Sequence, residues 1–139
     1  MRNRSFATLG LLALLAAASA FGQPRLKADI PFEFRVGTTV MPAGQYYVNP
    51  DFGAFGKLLS LDCHECRAKA VVVTHSVSGN EASTEGRLVF NKYGDTYFLS
   101  AVWLSDRRVG SGLQKDKTER ELAGSASLAR TSLIVLALR

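Results

Sequence analysis

The sequence contains few of the residues that most often carry catalysis or bind metals. Its 139 residues include two cysteines, two histidines and one tryptophan. A zinc site typically needs about four protein ligands, and this chain offers one cysteine pair, Cys63 and Cys66, together with His64 and His75. A c-type haem site needs a histidine directly after the second cysteine, where this chain has Arg67. Composition therefore excludes haem attachment and leaves metal binding with a sparse ligand set.

Motifs of several other function classes are also absent. No G-x-S-x-G nucleophile motif occurs, and the glycines do not form a phosphate-binding loop. No run of five Lys or Arg residues is present, so no nucleic-acid partner is indicated. Asp29 and Glu33 would lie about 13 Å apart on an extended strand, which exceeds the ~5–9.5 Å of a glycosidase carboxylate pair. The sequence thus favours a protein without enzymatic activity and without a cofactor.

The first 22 residues have the pattern of a signal peptide. Arg2 and Arg4 precede an apolar run from Phe6 to Ala18, and the small residues of Ala18–Ala20 follow, as signal peptidase requires. The run is shorter than the roughly 20 residues that span a bilayer, and no cysteine follows it for lipid attachment. We expect a cleaved signal peptide over residues 1–22, a periplasmic or extracellular location, and no transmembrane anchor after cleavage.

Residues 23–139 are expected to form a single β-rich domain. Cleavage after Gly22 leaves 117 of the 139 residues, which is near the usual size of one domain and enough for a hydrophobic core. Loss of Arg2 and Arg4 with the leader lowers the number of Lys and Arg residues from 17 to 15 against 12 acidic residues, so the formal net charge falls from +5 to +3. The mature surface is therefore only mildly basic.

The clearest structural signal is a β-hairpin between Arg87 and Leu104. Two β-branched and aromatic runs meet at Gly94-Asp95, a Gly-first pair typical of a two-residue type II′ turn. Residues whose numbers sum to 189 then oppose each other, so that Phe90 faces Leu99, Lys92 faces Tyr97 and Leu88 faces Ala101. This register predicts one buried face, which consists of Leu88, Phe90, Leu99, Ala101 and Trp103.

Further strands are predicted before and after this hairpin. Residues 28–36 alternate between apolar and polar side chains, which predicts one half-buried strand, and Pro31 favours a place at a sheet edge. Val71–Val73 is apolar at every position, as expected of a central strand covered on both faces. The apolar segment Ser132–Leu138 could be a strand or part of a buried helix, and its β-branched Ile134-Val135 pair favours a strand.

One helix is predicted near the C-terminus. Residues 115–123 are charged and rich in helix formers. Asp116 with Glu119, or Thr118 with Glu121, offers a capping box, and Asp116 with Arg120 forms an i,i+4 pair.

The intervening segments Ser76–Glu85 and Ser105–Gln114 have the composition of surface loops. Together the strands and turns predict a mainly β fold. It would be an antiparallel β-sandwich or small β-barrel of about six to eight strands with one short C-terminal helix.

The segment Cys63-His64-Glu65-Cys66 lies between two predicted strands, and several interpretations compete. Export favours a disulfide across a hairpin turn, which would contribute at most about 2 kcal/mol because the closed loop is small. Two free thiols are an alternative. A redox site of the thioredoxin type would need the pair at a helix N-terminus, and a metal site would use Cys63, Cys66 and His75.

Several aromatic residues allow an interpretation besides core packing. Packing within the sheet is favoured, but an exposed face for stacking sugars could be formed by Tyr46 or Tyr47, Phe52, Phe55, Tyr93 and Phe98.

Four segments together resemble a group of small exported proteins of soil bacteria that have no assigned activity. They are D-I-P-F-E-F-R-V-G at 29–37, M-P-A-G-Q-Y-Y-V at 41–48, R-L-V-F-N-K-Y-G-D-T-Y-F-L-S-A-V-W at 87–103 and T-E-R-E-L-A at 118–123. The second segment is also similar to the Pro-x-Gly-x-Tyr hairpin of secreted β-sandwich modules of the prealbumin-like type. The resemblance implies a compact exported β-domain and assigns no catalytic residue.

The expected function is a binding or structural role in the cell envelope or outside the cell, with an envelope protein or a polysaccharide as partner. A thiol/disulfide or metal-binding protein that uses Cys63 and Cys66 is the main alternative. A small-ligand carrier is a third, if the sheet closes into a barrel with an open mouth.

Overall fold

The structure is a computed structural model that describes residues 26–51, 57–125 and 132–138. The chain there is mostly β, with a helix α1 at Lys117–Ser125. The strands are β1 Leu26–Ile30, β2 Phe34–Val36, β3 Thr39–Met41, β4 Gly44–Asp51, β5 Lys57–Cys63, β6 Ala68–Ser78, β7 Gly86–Tyr93, β8 Thr96–Trp103, β9 Val109–Leu113 and β10 Ser132–Leu138. The predicted mainly β class with one helix near the C-terminus is confirmed, and several of the ten strands in the described residues are only three to five residues long.

The strands form one sheet that is not closed into a barrel. Its order is β1-β4-β5-β6-β9-β8-β2-β3, while β7 pairs with both β8 and β10. All pairs are antiparallel except a short parallel contact between Arg35 of β2 and Phe98 of β8. The strand β7 pairs along one edge of β8, and the other edge of β8 is shared by β9 and β2. The sheet therefore branches at β8 into two halves. One consists of β1, β4, β5, β6 and β9, and the other of β8 with β2, β3, β7 and β10.

One hydrophobic core lies between these two halves. Phe34 of β2 contacts Tyr46 of β4 edge-to-face at 5.2 Å and Phe90 of β7 at 5.5 Å between ring centroids. Such aromatic pairs contribute about 0.5–1.5 kcal/mol beyond the burial of their area. The same core cluster contains Leu59 and Leu61, both fully buried. The inner faces of both halves therefore pack against each other as the layers of a sandwich do.

The β7–β8 hairpin forms at the predicted turn but changes register within it. Gly94 has a φ of 60°, as the first corner of a type II′ turn requires, and Phe90 pairs with Leu99 as predicted. Beyond this pair the register shifts, so that Leu88 pairs with Val102 and not with Ala101. The shift leaves Ser100 as an extra residue on β8, which is a β-bulge.

Because of the bulge, the end of β8 presents the opposite face from the one predicted. Because side chains alternate between faces, one extra residue moves every later position of β8 to the opposite face. Val102 consequently joins Leu88 in the core cluster, and Ala101 and Trp103 lie on the outer face of the sheet. Trp103 is buried as predicted, with 8% of its surface exposed, but it lies outside the main core cluster, so the face predicted for it is wrong.

The predicted strand at residues 28–36 is two strands in the structure. The alternation itself is correct, since Ile30, Phe34 and Val36 are buried while Asp29 and Glu33 are exposed. However, β1 ends at Ile30 and β2 begins at Phe34, and the two pair with different neighbours. Pro31 cannot donate a ladder hydrogen bond, and it starts the segment in which the chain crosses from one half of the sheet to the other.

The prediction that Val71–Val73 is covered on both faces is also wrong. The strand β6 lies in the middle of its half of the sheet, between β5 and β9, but only its inner face meets the core. Val71 and Val73 point outward and are 60% and 69% exposed.

The segment Ser132–Leu138 is a strand, as favoured from its sequence, and pairs antiparallel with β7. Helix α1 begins at the first of the two predicted caps, because the backbone N–H of Glu119 donates to Oδ1 of Asp116 at 2.7 Å. Within the described part of the chain, no helix has the length and apolar character needed to cross a membrane.

Candidate functional site

Cys63 and Cys66 form a disulfide that closes the turn between β5 and β6. Cys63 is the last residue of β5 and is fully buried, whereas Cys66 lies half-buried in the turn. The backbone N–H of Cys66 also donates to Sγ of Cys63 at 3.2 Å. The disulfide predicted from the sequence is confirmed.

The start of β4 provides the contact surface for this disulfide. A Cβ at Gly44 would lie 3.2 Å from Sγ of Cys63 and 3.3 Å from Sγ of Cys66, so the absence of a side chain at Gly44 permits the close approach. Tyr46 donates a hydrogen bond to the carbonyl of Pro42 at 2.5 Å, and its oxygen lies 3.7 Å from Sγ of Cys66. Burial raises the pKa of the Tyr46 hydroxyl, which keeps the donated proton in place. The Pro-x-Gly-x-Tyr segment thus supports the disulfide.

The residues considered for a metal site do not come together. His75 lies seven residues along β6 from Ala68, the partner of Cys63, which is about 23 Å along a strand. His64 is exposed in the turn and packs against the Tyr47 ring, with 5.1 Å between ring centroids. Within the described ranges, no three His, Cys, Asp or Glu residues are placed to hold a metal ion.

The aromatic residues considered for a sugar-stacking face are mostly internal. Tyr46, Tyr93 and Phe98 are buried. Tyr47 is half-buried, with its ring between His64 and the Nζ of Lys27. Phe52 and Phe55 lie outside the described residues. The described members of this set therefore do not form an exposed platform.

Trp103 lies on the outer face of the sheet and is 8% exposed there. It pairs across the hairpin with Arg87 of β7, and the guanidinium carbon of Arg87 lies 5.4 Å from the indole centroid. On the other side, Ala101 pairs with Gly112 of β9, and two residues further this register brings Trp103 next to Gly110. Cation–π and cross-strand contacts of this kind stabilise the placement of the ring.

Two glycines of β9 provide the space that Trp103 occupies. A Cβ at Gly110 would lie 2.7 Å from Cδ2 and 2.9 Å from Cε3 of the indole, so the ring packs directly on the Gly110 backbone. A Cβ at Gly112 would collide with Val77 and lie 2.9 Å from Nε2 of His75. Because Gly110 and Gly112 share one face, β9 forms the floor of a trough on the outer side of the sheet.

The loop of residues 79–85 closes one side of this trough. The backbone N–H of Gly79 donates to the carbonyl of Arg108 at 2.7 Å, and that of Asp106 donates to the carbonyl of Ser83 at 2.7 Å. The loop is therefore tied at two points to the connection between β8 and β9. Together with Arg87 and Trp103, it lines a surface depression of about 570 Å³, which we call the Trp103 depression; its loop residues are Gly79, Asn80, Glu81, Ala82, Ser83 and Thr84.

Sequence reasoning missed this site for two reasons. The G-S-G sequence at 110–112 resembles a loop, although alternate glycines in a strand can also mark a close approach of another group. The bulge at Ser100 has no sequence signature in this hairpin, so alternation alone predicts the wrong face for Trp103.

Comparison of the chain with protein-family models, with curated proteins and with solved structures gives no match.

A second polar cluster lies beneath α1. The carboxylate of Glu119 is only 5% exposed and accepts hydrogen bonds from Nδ2 of Asn91 at 3.0 Å and from the Tyr93 hydroxyl at 3.2 Å. Burial and then the charge of Glu119 raise the pKa of Tyr93, while Lys115 acts in the opposite direction. Because the cluster is closed to solvent, we assign it to the docking of α1 on β7 and not to ligand binding.

Proposed function

We propose that the protein is an exported, non-enzymatic β-domain that binds a component of the cell envelope or of the extracellular surroundings at the Trp103 depression. One observation carries the proposal. The only tryptophan of the chain lies outside the main core cluster and is 8% exposed. It packs on the backbone of Gly110, at the side of a depression whose loop residues are mostly polar.

The composition of the depression supports ligand binding. Small-molecule sites are concave, of about 300–1,000 Å³, and combine an aromatic or apolar surface with a few polar groups that fix orientation. The Trp103 depression has a volume in this range, and its loop supplies Asn80, Glu81, Ser83 and Thr84 at one side. A loop fixed on a rigid scaffold is also where binding residues are commonly found.

In this proposal the disulfide has a structural role. Cys63 is buried and both sulfurs pack on Gly44, whereas thiol–disulfide exchange needs access to an attacked sulfur and a stabilised thiolate. The pair also lies in a hairpin turn and not at a helix N-terminus. The carrier alternative loses its basis because the sheet is not closed into a barrel.

The single tryptophan makes the proposal testable by fluorescence. Polysaccharide, protein and small-molecule fractions of the producing cell's envelope would be added to the purified protein while Trp103 emission is recorded. We expect one fraction to change the emission saturably in the wild type. Asn80→Ala should weaken this response, because it removes a polar group of the lining, whereas Lys69→Ala, on the outer face at the other end of β6, should leave it unchanged. A response that is equal in Asn80→Ala, or no response to any fraction, would contradict the proposal.

Export is tested separately by the intact mass of the protein recovered from the periplasm or medium. Removal of residues 1–22 is expected. A full-length mass in a cytoplasmic fraction would contradict the export part of the proposal and leave the binding part intact.

A further inference from the structure

We infer that the ligand of the Trp103 depression is a neutral oligosaccharide. This inference rests on the proposed binding function and adds the chemical class of the ligand. The chemistry of the lining, its charge and the position of Arg87 support it.

The lining matches the two kinds of surface that a pyranose ring presents. A sugar ring has an apolar face of C–H groups, which can pack on an aromatic ring whose face is electron-rich. Its hydroxyl groups are both donors and acceptors, so they need partners of both types. Asn80 supplies a donor and an acceptor, Glu81 supplies acceptors, and Arg87 supplies only donors. One indole beside these groups is the combination that a polyhydroxylated ring requires.

The charge of the lining argues against an ionic ligand. Among the residues that line the depression, Glu81 is the acid and Arg87 the base, so their formal charges cancel. A phosphate, sulfate or carboxylate ligand would favour a surplus of Arg or Lys, and a cationic ligand would favour a surplus of acids. The remaining loop residues are neutral, and of these only Ala82 has an apolar side chain, so a lipid or another largely apolar ligand lacks a matching wall.

Arg87 occupies the position that a stacked sugar would take. Since the Gly110 backbone covers one face of the indole, the guanidinium of Arg87, at 5.4 Å from the ring centroid, lies over the other face. Arg87 is exposed, whereas Trp103 is only 8% exposed with the guanidinium in place. A cation–π contact of an exposed cation is worth about 0.5–1 kcal/mol, so a sugar ring can displace the guanidinium at small cost and take its place on the indole. The displaced guanidinium remains next to the ligand and can donate hydrogen bonds to its hydroxyls.

The test is an array of immobilised glycans that contains neutral hexose and N-acetylhexosamine oligomers together with uronic-acid and sulfated oligomers. We expect the wild-type protein to bind at least one neutral oligomer. Asn80→Ala and Glu81→Ala should each weaken that binding by about tenfold, which is the effect of losing about 1.4 kcal/mol of hydrogen bonding. Lys69→Ala is the matched control and should bind as the wild type does.

Asn80 and Glu81 have exposed side chains in a surface loop, so their substitution should not prevent folding, and circular dichroism of each variant checks this. A soluble sample of the bound oligomer should then change the Trp103 emission of the wild type saturably.

Each other result overturns the inference. Binding only to uronic-acid or sulfated oligomers that is lost in Asn80→Ala would contradict a neutral ligand and still support the proposed binding function. Binding to neutral oligomers that is unchanged in both loop variants would contradict the site. No binding to any glycan would contradict the sugar class, and the fluorescence experiment with envelope fractions then decides the proposed function independently.

Discussion

Trp103 packs with its indole against the backbone of Gly110, on the side of the sheet that faces away from the core. This contact exists because Ser100 is an extra residue in β8, so that the side chains after it point to the opposite face of the sheet. Without the bulge, Trp103 would point toward Leu88 and Phe90, and the outer face would have no aromatic residue at this position. The candidate binding site is therefore a consequence of one irregularity in a hairpin.

Replacing Gly110 with alanine tests this contact. The added Cβ would lie 2.7 Å from Cδ2 of Trp103, so the ring must move away from β9. We expect the free energy of unfolding to fall by about 1–3 kcal/mol and the emission of Trp103 to shift to longer wavelength as the ring becomes more exposed. Urea unfolding followed by fluorescence measures both changes.

Gly124→Ala is the control for this substitution. A Cβ at Gly124 meets nothing within 4 Å, and in a helix the change from glycine to alanine stabilises by about 0.5–1 kcal/mol. A Gly110→Ala variant with wild-type stability and emission would show that the ring does not pack on β9.

The disulfide should make a modest contribution to stability. It closes a loop with a sequence separation of only 3, so the chain-entropy contribution is about 2 kcal/mol. The Cys63→Ser, Cys66→Ser double variant should unfold at a correspondingly lower urea concentration and no longer respond to reductant. Wild-type protein that shows no change of its melting temperature on reduction would contradict this account.

The hydrogen-bonded carboxylate under α1 should be much more sensitive to substitution than a surface acid. Glu119→Ala leaves the buried amide of Asn91 and hydroxyl of Tyr93 without their acceptor, which should cost about 1–3 kcal/mol of unfolding free energy. Glu121→Ala is the control, because its partner Lys117 is 3.9 Å away and both side chains are exposed, so its effect should stay below about 0.5 kcal/mol. Equal effects of the two substitutions in thermal unfolding would refute the role of Glu119.

The protonated hydroxyl of Tyr93 should make the stability of the fold fall at alkaline pH. Burial and then Glu119 raise the pKa of its hydroxyl above the ordinary value of 10.0, so the folded state holds this proton more tightly than the unfolded chain. The resulting stabilisation is complete below pH 10 and is lost as the pH rises through the pKa of the folded protein. Unfolding free energies measured on both sides of pH 10 should show this decline, and Tyr93→Phe should reduce its slope. An identical slope in the two proteins would contradict the assignment.

The hydroxyl of Thr74 offers a stabilising substitution. Its oxygen is buried and, among the residues that the structure describes, has no hydrogen-bond partner. Thr74→Val keeps the shape and removes the unsatisfied group, so the unfolding free energy should rise by about 1 kcal/mol. A loss of stability in this variant, measured by urea unfolding, would mean that the hydroxyl has a partner.

The hairpin shows how far the sequence could predict this fold. Gly94-Asp95 specified the turn, and alternation specified the pairs nearest to it, because both are local properties. The bulge at Ser100 lies where the second edge of β8 changes its neighbour, from β2 at Phe98 to β9 at Ala101. That arrangement is tertiary, so no property of residues 87–104 alone could indicate it.

The prediction of which side chains are buried was wrong at other positions for a related reason. The sequence Val71–Val73 has the composition of a strand covered on both faces, yet whether a second layer covers its outer face depends on the rest of the chain. The alternation of residues 28–36 predicted which side chains are buried, but not that Pro31 begins a crossing between two halves of the sheet. By contrast, the prediction of the disulfide depended only on a short loop and on the expected export, and the disulfide is present.

The most direct test of the proposed site uses the one indole N–H signal that a single tryptophan gives in a proton–nitrogen NMR spectrum. The protein would be titrated with the neutral oligosaccharide that binds most strongly on the array. The proposal predicts that the Trp103 indole signal and the amide signals of Gly79 and Gly110 shift together and reach saturation. Shifts confined to other parts of the chain, with these three signals unchanged, would contradict it.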